Sequence, residues 1–139
     1  MTQVPAEPKL EATEIAAMQK GVDEFNSGRF FECHDTLEEV WQGMRGPSRN
    51  FFQGLIQISV GFYHLGNGNT VGGRSQLEKA LRNLAGYGAG YLGMELEELR
   101  RQIQWWLDRI DRGEDLRCNI SEIPKFQYNP PPKAESGPD

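Results

Sequence analysis

The chain has 139 residues, 37% of them hydrophobic and 10% aromatic, which is the size of one domain and too rich in core formers for a disordered protein. A formal charge of −5 and a pI near 5.1 exclude general nucleic-acid binding, because no basic surface is available to neutralise a row of phosphates. Cys33 and Cys118 form neither a disulfide framework nor a cysteine-type zinc site, so a reducing cytoplasm is the expected location.

Residues 1–12 contain Pro5 and Pro8, show no hydrophobic period and lack the apolar run of a secretory signal, which predicts a flexible N-terminus. From Thr13, a candidate N-cap, Ile15, Met18, Val22 and Phe25 recur at helical spacing and predict a first helix ending at Asn26, with Gly28 as its stop. A second helix, Phe30 to Gln42, puts Phe30, His34, Leu37 and Trp41 on one face, so a histidine takes an inward position. Gly43, Gly46 and Pro47 break the chain. Ser48 or Asn50 then caps a third helix, Phe51 to Leu65, which is too short and too polar to cross a bilayer; no membrane association is expected. Beyond the turn Gly66 to Asn69, Thr70 caps a fourth helix with Leu77, Leu81 and Leu84 inward. Gly86, Gly88, Gly90 and Gly93 mark a loop. The fifth helix, 94–112, has the cleanest period, in Leu96, Leu99, Ile103, Trp106 and Ile110. Trp105 falls off that stripe, and one of the two tryptophans is expected to cover the segment 118–126. Residues 127–139 form a Pro-rich flexible tail, leaving 13–126 as a single helical domain. No stretch alternates as a strand would. The prediction is an all-α fold of about five helices in antiparallel hairpins.

An internal echo runs at an offset of 40 residues. Gly21 falls on Gly61, Gly28 on Gly68, Leu37 on Leu77 and Glu38 on Glu78, while Cys33 matches Gly73 as a small residue. This spacing is similar to the helix–turn–helix unit of tetratricopeptide repeats, where small residues admit close helix approach, and suggests a short helical array closed by the fifth helix.

The chemistry-bearing residues concentrate on the second and third helices. His34 and Glu38 are four apart and share a surface with Trp41. On the third helix Gln53, Gln57, Gly61 and His64 form a polar stripe, and Asn69 can reach back toward His64. Facing helices would gather His34, Glu38, Gln57 and His64. Three readings fit such a cluster: an interhelical network that fixes register, a pocket for a small ligand or protein partner walled by Trp41 and Phe side chains, or a metal or acid–base site. The metal reading takes His34, Glu38 and His64 as ligands, completed by Glu32 or Asp35, and would support a metal-assisted hydrolase. Its His-x-x-x-Glu spacing matches neither the Glu-x-x-His pair of di-iron bundles nor the His-Glu-x-x-His of zinc proteases. The preferred reading is a non-enzymatic binding or interaction module without a cofactor. Cys33, adjacent to His34 in sequence but about 100° away around the helix, is expected to be core packing. Cys118 carries no signal. The basic residues of the fourth and fifth helices are interleaved with Glu and read as solvated faces.

Phe31-x-x-His34-x-x-Leu37-Glu38-x-x-Trp41, then Gln53-Gly54-Leu55-Ile56-Gln57, then His64 followed by Gly68-Asn69, resemble the domain-of-unknown-function 309 family over residues 18–110. The resemblance implies a small, all-helical, soluble protein. Gly73 departs from it, an alanine being expected there. It brings no activity, substrate or cofactor.

Overall fold

The computed structural model describes residues 5–116 and 120–131. Five α-helices follow in chain order: α1 (Ala12–Asn26), α2 (Phe30–Gln42), α3 (Arg49–Gly66), α4 (Thr70–Leu84) and α5 (Glu97–Asp111). No strand occurs among the described residues; a single antiparallel bridge joins Met94 to Tyr128. The fold is all-α, as its periodicity predicts. Cys118, and the tail from 132 onward, lie outside the described residues.

Apolar residues surround α3 on nearly every side. Phe51, Phe52, Leu55, Ile58 and Phe62 are all essentially inaccessible, and a helix apolar all round belongs at the centre of its bundle. It packs against α2 on one flank and α4 on the other, with α1 laid on α2 and α5 on α4. Gly61 and Gly21 set the spacing of the two hairpins. A Cβ at Gly61 would lie 2.8 Å from Leu77 Cδ2, and one at Gly21 2.8 Å from Leu37 Cδ2.

The turns of the two hairpins match in geometry. Their turns carry matching backbone bonds: Arg29 N to Glu24 O and Asn69 N to His64 O, both 2.8 Å, then Cys33 N to Arg29 O and Gly73 N to Asn69 O, both 3.0 Å. Gly28 and Gly68 sit at the same point with φ of 81° and 79°, where a side chain would be strained.

Helix ends differ from the sequence expectation where a tertiary or side-chain bond decides them. The first helix begins at Ala12, with Glu11 rather than Thr13 at its N-cap, because Glu14 reaches back to accept from Glu11 N at 2.9 Å. Asn69, not Thr70, caps α4, its Oδ1 accepting from Gly72 N at 2.9 Å. Ser48 gives α3 no side-chain cap; a 3-10 turn, Gly46–Ser48, runs straight into Arg49. The fifth helix starts at Glu97 rather than 94 because the preceding residues are engaged elsewhere. Glu95 N donates to Gln127 O at 2.9 Å and Leu96 N to Ala89 O at 2.7 Å.

Contacts of the helical body reach beyond 13–126 at both ends. Tyr91 Oη donates to Ala6 O at 2.6 Å and Leu92 N to Glu7 Oε2 at 3.1 Å. At the other end Asn129 N donates to Gly93 O at 2.7 Å, and just before it Phe126 stacks on Phe25 at 3.9 Å, with Asn26 bonding both its N and its O. Trp106, the inward tryptophan, donates to Glu122 O at 3.0 Å, while half-buried Trp105 lies under the Arg109 guanidinium.

A candidate interaction site between α2 and α3

The buried stripe of α2 is Cys33, Thr36, Leu37 and Val40. This is one position round from the expected Phe30–His34–Leu37–Trp41 face, so His34 sits at the seam between α2 and α3 rather than in the core. Its side chain is 24% exposed, with Nδ1 3.3 Å from Asp35 Oδ1 and Nε2 3.7 Å from Glu38 Oε2. Neither approach is a hydrogen bond, and Nδ1 is buried without a partner.

Next to His34 the seam opens. Phe30, Phe31, His34, Val60, Tyr63 and His64 line a mainly apolar hollow of about 180 Å³. The two imidazoles do look onto one space. Phe31 and Tyr63 form its lips, their rings 5.5 Å apart, and remain 50% and 40% exposed. His64 Nδ1 lies 3.5 Å from Asn69 Nδ2, so the residue that caps α4 also borders His64.

The rest of the expected cluster is dispersed. Gln57 turns to the opposite flank of α3 and accepts from Asn83 Nδ2 at 2.7 Å, because its position belongs to the α3–α4 seam. Trp41 lies two helical turns from His34 under the Arg49 guanidinium, 3.9 Å from its ring, and Arg49 Nη1 bonds the carbonyls of Trp41 and Met44. Trp41 therefore belongs to the C-terminal closure of α2 and walls no part of the hollow.

The second hairpin shows what His34 leaves open. Its equivalent, Arg74, crosses to α5 and donates to Asp111 through Nε at 2.6 Å and Nη2 at 3.2 Å. The Arg74–Glu78 pair repeats the His34–Glu38 pair at the same i,i+4 spacing. An imidazole is shorter than a guanidinium arm, so the first seam keeps a gap where the second is bridged. Only the sequences of the two copies compared position by position signal this difference.

Among the described residues, His34, Asp35 and Glu38 are the group whose donor atoms lie within 4.8 Å of one another, and His64 is not part of it. The two carboxylates flank opposite ring nitrogens, Asp35 beside Nδ1 and Glu38 beside Nε2. Cys33 offers no nucleophile: it is fully buried, and that burial pushes its thiol up to about 12, so almost no thiolate forms. Glu24, which occupies the His64 position of the first hairpin, is buried and bonded to Thr36 Oγ1 at 2.7 Å and Lys20 Nζ at 2.8 Å. Beyond Phe30 lies a larger cavity of about 810 Å³ edged by Phe25, Phe62, Trp106 and Leu116.

The residues around the hollow coincide with the part of the chain that has recognisable relatives. Residues 18–76 match the DUF309 family. DUF309 is a domain of unknown function, and the match takes in most of α1, all of α2 and α3 and the start of α4. It ends well short of residue 110, leaving α5 outside. An uncharacterized protein of Aquifex aeolicus (strain VF5) is 27% identical over 99 residues, covering 69% of this chain and 30% of that protein. The uncharacterized protein YpuF of Bacillus subtilis (strain 168) is 36% identical over 63 residues, 44% of this chain and 36% of YpuF. The chain thus spans about a third of the length of these curated relatives. No helix of the described residues is long and apolar enough to cross a membrane.

Proposed function

We propose that the chain is a non-enzymatic interaction module that receives an apolar group of a partner in the hollow between α2 and α3. The observation that carries this reading is where apolar surface has been left uncovered. Among the described residues, the large hydrophobic residues that stay exposed are Phe31, Tyr63 and Val71. All three lie at the end of the bundle where the turns 26–30 and 66–70 sit, and two of them frame the hollow. Exposed aromatics beside a concavity are a usual mark of a contact centre. The size favours a side chain over a free metabolite, since pockets for drug-sized molecules run about 300–1,000 Å³ and this one is about 180 Å³. The matching turns of the two hairpins support a helical array similar to tetratricopeptide repeats, an architecture that presents such surfaces.

Indole, as an apolar probe, tests this by amide NMR shifts on the full chain. The expected shifts fall at residues 30–34 and 60–64 and disappear in Val60→Phe, which fills the hollow, with the thermal melt unchanged. Shifts confined to Phe62, Trp106 and their neighbours, or none at all, overturn the reading.

A divalent-ion site is the second reading, favoured by the His34–Asp35–Glu38 grouping, with a metal-assisted hydrolase as its functional consequence. Metal analysis of chain purified without chelator decides it. Stoichiometric zinc, iron or manganese, lost in His34→Ala, would displace the interaction reading; metal-free protein removes the alternative.

A further inference from the structure

Among the described residues, the carboxylates of α2 form no ion pair with a Lys or Arg. From Phe30 to Gln42 the chain carries Glu32, Asp35, Glu38 and Glu39 and no Lys or Arg. Arg45 and Arg49 follow in the connection and at the start of α3, Arg49 lying over Trp41, and from Asn50 to Gly66 there is no carboxylate and no Lys or Arg. Among the described residues, Asp35 and Glu38 approach only His34, and Glu32 has no ion-pair partner. Several carboxylates of α4, α5 and the turn after it are paired instead: Glu78 meets Arg74 and Arg82, Asp111 meets Arg74, Glu98 meets Arg101, and Glu114 meets Arg109 and Arg112, while Glu97 and Asp108 form no ion pair among the described residues.

The internal repeat makes this a controlled comparison. Where α4 has Arg74, Lys79 and Arg82, α2 has His34, Glu39 and Gln42 at the equivalent positions. The same scaffold is basic in one copy and acidic in the other, so the acidity of α2 is not required by the hairpin. Self-repulsion along an exposed acidic row costs stability unless something cationic answers it.

We infer that the hollow and the acidic row together take a basic segment of another protein, one aromatic or aliphatic side chain entering between Phe31 and Tyr63 while flanking Lys or Arg residues lie along Glu32, Asp35 and Glu38. This rests on the interaction reading above and names its partner class. The apolar anchor supplies the desolvated contact, and the charge row supplies orientation and rejection of acidic competitors.

The test uses synthetic peptides on the full chain: a central Phe flanked by Lys and Arg, the same peptide with Ser in place of Phe, and one with Glu flanks. The first is expected to bind saturably at low salt and to weaken as salt rises, with each of the others weaker by about tenfold or more. The combined variant Glu32→Gln, Asp35→Asn, Glu38→Gln is expected to weaken the basic peptide about tenfold while indole still shifts residues 30–34 and 60–64. Equal binding of basic and acidic peptides, an unaffected combined variant, or no saturable binding overturns the inference. If indole still enters the hollow in those cases, the interaction module stands with a different partner; if indole also fails, both fall.

Discussion

At Glu24 a buried carboxylate is held by two donors, Thr36 Oγ1 and Lys20 Nζ. Burial alone would raise its pKa, but the Lys20 and Thr36 bonds outweigh it and hold the carboxyl below the usual glutamate range. A carboxylate with a depressed pKa in the folded state contributes stability above its unfolded pKa and loses it as pH falls through the folded value. Glu24→Gln is therefore expected to cost about 1–3 kcal/mol at neutral pH, with the deficit shrinking in acid. Urea denaturation at neutral and acidic pH checks this; a deficit that is constant with pH would show that the charge is not what Thr36 and Lys20 stabilise. The sequence hides this residue because it falls outside the Met18–Val22–Phe25 stripe, and its partner Thr36 is twelve positions away on another helix.

Helix ends and helix rotations were legible to different degrees. The bounds of α2 and the end of α1 follow from Asn26, Gly28, Gln42 and Gly43, because local turn chemistry sets them. The packing turns α2 one position away from the face that its period predicts. Phe30, His34, Leu37 and Trp41 have a valid helical period, but so do Cys33, Leu37 and Val40, and only the placement of α1 and α3 selects between them. Asn69 serves two elements at once, capping α4 and bordering His64. Asn69→Ala is expected to destabilise by about 1 kcal/mol, the usual worth of an N-cap. It should also move the His64 ring signals, measured by NMR; if the melt drops while those signals stay fixed, Asn69 is a cap alone.

For the whole molecule, the segment 126–129 works as a clasp. Phe126 stacks on Phe25, Asn26 bonds it at both backbone atoms, and Asn129 N donates to Gly93 O at 2.7 Å. A Cβ at Gly93 would overlap the Asn129 carbonyl, so the loop before α5 is shaped to receive this segment. Phe126→Ala is expected to cost about 3 kcal/mol through loss of a buried ring, read by chemical denaturation. It should leave α1 and α2 intact by circular dichroism. A change below a few tenths of a kcal/mol would mean the clasp adds little to the helical body.

Composition, helical period and turn residues by themselves determined an all-α chain of five helices, the places where it turns, and the 40-residue echo of Gly21, Gly28, Leu37 and Glu38. These follow from interactions within a few residues, which one sequence contains in full. Tertiary structure alone decided that His34 and His64 share a hollow while Gln57 goes to Asn83 and Trp41 to Arg49. It also decided that Arg74 bridges a seam which His34 leaves open. Those outcomes depend on how far each helix is rotated against its neighbours, a quantity fixed by the packing of all the faces together and by no single stretch of chain.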